Sequence, residues 1–483
     1  MNIQLIIAFF AYFFVLLLIG LASLRRQKSA DDYIIGNRSL SYWMTAFSAH
    51  ASDMSAWLFM AFPAAIYTFG LSQLWIAIGL LIGMFLNWQF VAEKLRRNTE
   101  TYESNTLSTF LERRFNDKSG VIRVLTACMI LFFLTCYLSA GLIAMGSLLE
   151  SLFGINYYLS LAIAMFVAAS YTTIGGYYTI ARVDQFQALF LLLMIILVPA
   201  TAYFSMPNAL ETIVSQAKIK EASLSLFSDF SFQSFRSTLF LILGWGLGYF
   251  GQPHIITKFM GIKSPDEIKK AKYVGMTWQI LALSAAAFVG FVGIGFFSEN
   301  PLKNGELVFI EMVKTLFNPL FGGFILCGLI AANISTMDSQ ILVCGSVISE
   351  DFWRCLFKKH ASDKELLLIS RVGVLLTSLV SLLIAFYKSS TVLEAVLYAW
   401  SGLGAAFGPT IIMSLYDKKA NRNGAIAGIF VGGFIAAFWD ILNPHLASYP
   451  IPAMIPGFFL GLLTVYSVSR LAPERAAVDT LSF

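Results

Sequence analysis

Three short strings in this chain of 483 residues set oxygen-bearing side chains inside apolar stretches, and together their chemistry is that of a cation site. The first is Phe47-Ser48-Ala49-His50-Ala51-Ser52-Asp53-Met54-Ser55-Ala56-Trp57. A carboxylate at that depth costs about 2.5–3.5 kcal/mol even on a lenient insertion scale. Asp53 therefore either caps a half-helix by accepting from free N–H groups, or organises a cation site directly or by holding unwound backbone. The second string, Gly244-Trp245-Gly246-Leu247-Gly248-Tyr249-Phe250-Gly251-Gln252-Pro253, carries four glycines and a proline in ten positions. Glycine costs a helix about 1 kcal/mol and proline about 3, so the spacing predicts a break, tolerated in a bilayer only where it is buried in protein or lines a cavity. Trp245 and Tyr249 fall four apart on one face, which favours a lined cavity over close packing through small residues. The third string is Ala331-Ala332-Asn333-Ile334-Ser335-Thr336-Met337-Asp338-Ser339-Gln340. Its hydroxyls either bond back to the preceding turn or serve a hard cation such as sodium, which takes oxygen ligands by the logic that governs calcium and magnesium.

The elements that carry these strings are membrane helices. The chain is 58% hydrophobic and only 13% charged, against about 25% charged in a soluble domain. About thirteen apolar stretches reach the roughly 20 residues that a helix needs to cross a bilayer, near 3–24, 40–70, 73–93, 124–152, 156–176, 184–205, 235–258, 273–297, 307–349, 368–387, 392–415, 424–442 and 452–469. The first is read as a retained helix and not a cleaved signal, because Arg25, Arg26 and Lys28 follow the apolar run. With the N-terminus outside, 27 of the 33 basic residues fall on the cytoplasmic side, which predicts an external N-terminus and an internal C-terminus.

The net charge of +5 is spread in short runs between apolar stretches and forms no nucleic-acid face. Cys128, Cys136, Cys327 and Cys344 read as small core residues, and Cys355 falls in a cytoplasmic loop. His50, His254, His360 and His445 lack metal-ligand spacing, and the glycine string Gly246-Gly248-Gly251 follows no strand, which argues against a nucleotide site. No catalytic constellation is found, so an enzyme is not expected.

The two predicted breaks lie in the first and sixth helices of a block from about 40 to 415. That placement is expected of two five-helix repeats of opposite topology whose broken members meet near the bilayer midplane. The predicted fold is an all-α membrane protein with a leucine-transporter-like core: an extra helix in 1–30, repeats over 40–205 and 235–415, two extra helices in 420–470, and a tail, 471–483.

Ser52-Asp53-Met54-Ser55, the glycine-rich string through His254, Ser335-Thr336 and Ile348-Ser349-Glu350-Asp351 resemble the sodium/solute symporter family, and specifically its sodium/proline branch. The likeness runs from Asp31-Asp32-Tyr33 through Ala405-Ala406-Phe407-Gly408-Pro409 to Ile455-Pro456-Gly457. It implies a sodium site made by the carbonyls of Ala51, Met54 and Ala332 and the hydroxyls of Ser335 and Thr336, with Asp53 supporting tight binding and Asp184 on the release path. It implies that Ser55, Ala56, Trp57, Tyr137, Trp245 and Tyr249 line or gate a proline pocket. His50, Ala56 and Asp338 depart from the family pattern, and His50 and Asp338 leave room for an additional coupling role, with a His50 bonded to a backbone carbonyl as the plainer reading.

The expected function is import of L-proline with sodium by alternating access in a bacterial inner membrane. Sodium is the sole ion required, the lipid bilayer the surrounding medium, and no obligatory protein partner is expected. A symporter for another small amino acid or organic solute, or a proton-coupled one, is the alternative; a channel or a sensor fits less well, since no soluble signalling domain follows Arg470.

Overall fold

The structure, a computed structural model, describes residues 3–24, 30–227, 229, 231–387 and 391–472. Helix dominates it throughout: α1 (Ile3–Leu24), α2 (Tyr42–Asp53), α3 (Ala61–Phe69), α4 (Leu74–Leu86), α5 (Val121–Phe153), α6 (Tyr157–Gly175), α7 (Tyr177–Ser205), α8 (Phe232–Gly246), α9 (Pro253–Met260), α10 (Ile268–Phe296), α11 (Pro319–Ser346), α12 (Asp363–Phe386), α13 (Val392–Tyr416), α14 (Arg422–Leu446) and α15 (Met454–Leu471), with short helices between them. Among the described residues, ten helices are long and apolar enough to cross a membrane, or eleven if the bent pair Phe232–Gly251 and Pro253–Met260 is one span. Each of the thirteen expected spans coincides with helix. The 40–70 span is interrupted after Asp53, whereas 156–176 is the 19-residue helix α6. The expected 307–349 span also divides: Val308–Leu316 ends at an extended Phe317, and Asn318 caps α11 by accepting from Phe321 N at 3.0 Å, with Pro319 in the first helical position. Arg25, Arg26, Lys28, Lys388, Arg475 and the tail beyond 472 lie outside the described residues.

Both predicted breaks are present. Between α2 and α3, Met54 and Ser55 leave helical geometry, and a 3-10 turn at Ala56–Leu58 follows. Between α8 and α9, a 3-10 turn at Leu247–Gly251 leads to an extended Gln252, and the two pieces meet at 48°. Pro253 opens α9, where its missing N–H costs nothing.

The ends of the two broken helices remote from the breaks are tied together. Leu40 N donates to Gly261 O at 3.1 Å and Lys263 N to Leu40 O at 2.8 Å. Arg38 donates to Met260 O at 2.9 Å and buried Arg96 to Ile262 O at 2.8 Å, so two cations satisfy carbonyls at the C-terminal end of α9. The first half-helix, α2, packs against α7, α9, α10 and α11, which places its last turn in the protein interior.

Candidate functional site

The break after Asp53 frees a carbonyl. In a continuous helix Ala51 O would accept from Ser55 N, but that N–H turns to Asp53 O at 3.1 Å. Ala51 O is met instead by two hydroxyls of α11, Ser335 Oγ at 2.9 Å and Thr336 Oγ1 at 3.3 Å. The same hydroxyls reach Ala332 O at 3.0 and 3.1 Å. Four oxygens thus share two hydroxyl protons, leaving an excess of lone pairs for a hard cation. Ala51, Ala332, Ser335 and Thr336 come together as expected; Met54 adjoins them in the chain, its N–H held by His50 O at 3.1 Å.

Asp53 does not cap the second half-helix. The side-chain cap after the break is Ser55, whose Oγ accepts from Trp57 N at 3.3 Å at the head of the 3-10 turn Ala56–Leu58 that precedes α3. The Asp53 carboxylate, buried, accepts instead from the phenol of Tyr249 across the two breaks. Gln279 Nε2 donates to the same phenol oxygen at 2.9 Å, and Asn87 Nδ2 donates to Tyr249 O at 3.0 Å. Neighbouring helices thus hold the interrupted backbone in place, as irregular structure inside a bilayer requires.

Asp53, Met54, Trp57, Leu80, Tyr137, Trp245, Tyr249, Val396 and Trp400 line a small chamber of about 10 Å³. Trp57 and Trp245 close on each other with ring centroids 5.1 Å apart. Four of the six expected pocket residues line this chamber, whereas Ser55 and Ala56 are buried in the break without lining it. A chamber near the lower limit for one water admits an amino acid only if its aromatic walls part.

Sequence reasoning missed Trp400. Its indole donates to Trp245 O at 2.9 Å, and its ring meets Tyr249 edge-on at 5.1 Å. Gly248 exists for this contact, since a Cβ there would lie 2.0 Å from Trp400 Nε1. The signal was the aromatic and glycine run Tyr398-Ala399-Trp400-Ser401-Gly402, which carries no charged side chain.

The side chains of His50 and Asp338 bond to groups other than the shared carbonyls. His50 Nε2 accepts from Trp88 Nε1 at 3.3 Å, so its partner is an indole and not the backbone carbonyl expected. Asp338 accepts from Thr172 Oγ1 at 2.7 Å, toward α6. Asp184 lies beyond Ser52 and Ser48, eight residues into α7, and accepts from Ser48 Oγ at 2.6 Å.

Two broken helices facing each other, with a cation-accepting cluster beside an aromatic chamber, define a multi-pass membrane transporter and not an enzyme. A Na+-coupled sialic acid symporter, solved in a substrate-bound outward-open state, shares the fold with a TM-score of 0.82 at 16% identity, covering 99% of each chain. The nucleobase-cation symporter Mhp1 matches with a TM-score of 0.55 at 15% identity over 92% of this chain and 96% of that one. The sodium:solute symporter family model matches residues 33–432. The chain is 40% identical to the sodium/proline symporter of Escherichia coli (strain K12), over 98% of this chain and 95% of that protein, and 40% identical to the high-affinity proline transporter PutP of Bacillus subtilis (strain 168), over 96% and 98%. The chain belongs to the sodium:solute symporter family.

Proposed function

We propose that this chain imports L-proline together with sodium by alternating access. The observation that carries the reading is the pairing of Ser335 and Thr336 with the carbonyl freed at Ala51, two residues before an Asp53 tied to Tyr249. The carbonyls of Ala51, Met54 and Ala332 and the two hydroxyls hold sodium, Asp53 supports them electrostatically, and Asp184 receives the ion on its inward path. Trp57, Tyr137, Trp245, Tyr249 and Trp400 surround the solute's ring, with Ser55 and Ala56 offering backbone at the break for its carboxylate. The relatives' names support proline as the solute.

Binding sodium beside Asp53 turns the hydroxyl oxygens from carbonyl to ion and steadies the break, so the solute finds its chamber formed; coupling is this shift between two global states. One inward charge is worth about 2.3 kcal/mol per 100 mV, and a tenfold sodium gradient adds about 1.4 kcal/mol. The chain is oriented with its N-terminus outside a bacterial inner membrane, and the repeats 40–205 and 235–415 rock about the two breaks. His50 and Asp338 act, at most, as added coupling groups.

Proteoliposomes low in internal sodium should take up labelled proline when sodium is added outside. Uptake that ignores sodium, or follows a pH gradient alone, defeats the coupling; a panel of unlabelled amino acids in which another solute competes better than proline defeats the substrate.

A further inference from the structure

Below the hydroxyl cluster lies a second group of oxygens that already holds a cation, the protein's own. Lys258 Nζ, on α9 and 1% exposed, lies 3.3 Å from Asp184 Oδ2, and Asp184 is equally buried. The same carboxylate oxygen accepts from Ser48 Oγ at 2.6 Å and lies 3.5 Å from Ser52 Oγ, which donates to Ser48 O at 2.6 Å and meets Ser339 Oγ at 2.8 Å. Asp184 Oδ1 is buried with no hydrogen-bond partner. Two carboxylate oxygens and three hydroxyls form a ligand set suited to a hard cation. Ser52 follows Ala51 and Ser339 stands about one turn beyond Ser335, so the two clusters adjoin along α2 and α11. Lys258 and Ser339 both face a cavity of about 20 Å³ that Tyr177, Thr257 and Ser346 also line.

An ion pair buried in this way gains little over apolar residues of the same shape, and inside a bilayer it marks function by default. Lysine suits a cation that must let go: a compact charge on a flexible stem, without the fixed fork of arginine.

We infer that Lys258 is a tethered cation filling a second cation position made by Asp184, Ser48, Ser52 and Ser339, so that the chain binds one mobile sodium where these oxygens would otherwise bind two. A sodium ion leaving Ser335 and Thr336 reaches Asp184 by displacing the ammonium, which then returns to the carboxylate. This rests on the sodium-coupled reading above.

The test counts sodium directly, without proline: ²²Na⁺ bound at saturation to purified protein. Wild type and Lys258→Arg should bind one ion, Lys258→Met two with a Hill coefficient rising toward two, and Asp184→Asn/Lys258→Met one again. Should Lys258→Met bind no sodium, restoration by the added Asp184→Asn supports the inference, because the lysine is then needed only to balance that carboxylate. One ion bound by Lys258→Met, or a loss that Asp184→Asn does not restore, overturns the inference alone. A wild type that binds no sodium overturns the coupled reading and this inference with it.

Discussion

The phenol of Tyr249 donates to the carboxylate of Asp53, joining the breaks of two helices 196 residues apart in the chain. The bond makes the cation side and the solute side of the site one object, since Tyr249 also walls the aromatic chamber.

Tyr249→Phe removes that partner from a buried carboxylate, at a cost of about 1–3 kcal/mol, or roughly 5- to 150-fold. Half-activation of proline uptake should shift to higher sodium by that factor, and Asp53→Asn, which removes the charge, should shift it further. Sodium activation curves in proteoliposomes decide it; half-saturating sodium unchanged in both variants would show that the tie is unrelated to the ion.

Ser335→Ala and Thr336→Ala each delete one of the two hydroxyls bridging Ala51 O and Ala332 O. Each should raise the sodium needed for half-activation by about tenfold, some 1.4 kcal/mol, while Thr336→Ser stays near wild type. Equal losses in proline and sodium affinity at saturating partner would point to a damaged helix contact instead.

Gly248→Ala drives a methyl group into the Trp400 indole. Proline transport should fall at least about fivefold at normal membrane levels of protein, by the overpacking cost of about 1–3 kcal/mol. Trp400→Phe, which keeps a ring but loses the donor to Trp245 O, should raise the KM for proline more than it lowers the maximal rate. Wild-type kinetics in both variants would remove Trp400 from the chamber's working wall.

A pH effect is expected in the turn between the helix Leu107–Arg114 and α5. Burial works against the Asp117 carboxylate, but hydrogen bonds from Ser119, the Arg422 guanidinium and Ile122 N–H hold it below the usual carboxylate range. A depressed folded value means that its stabilisation is fully present above the unfolded value of about 3.9 and is lost as pH falls through the folded one. Asp117→Asn should therefore lower the melting temperature of detergent-solubilised protein by a constant amount from pH 7 to pH 5, with the gap closing only below about pH 4. A gap that closes by pH 6 would assign the effect to another group.

Hydropathy alone determined that the chain crosses a bilayer many times, because apolar length is a local property. The positions of both breaks were also legible, since glycine and proline act on their own backbone: the run from Gly244 to Pro253 interrupts its helix where composition says it must. The residues Asp53, Ser335 and Thr336 stood out because oxygen at membrane depth is costly. What Asp53 bonds to was not legible. Capping and cross-bridging use the same carboxylate, and only the approach of α8 and its following turn to the break after α2 assigns it to Tyr249 and leaves the cap to Ser55.

Trp400, and the pairing of Lys258 with Asp184, likewise belong to the tertiary structure, because each is made by helices distant in the chain. An indole in an apolar helix and a lysine near a helix end look ordinary by themselves. Packing turns the first into a wall of the chamber and the second into a buried counter-ion, and that packing depends on which helices meet and at what angle, which no local spacing encodes.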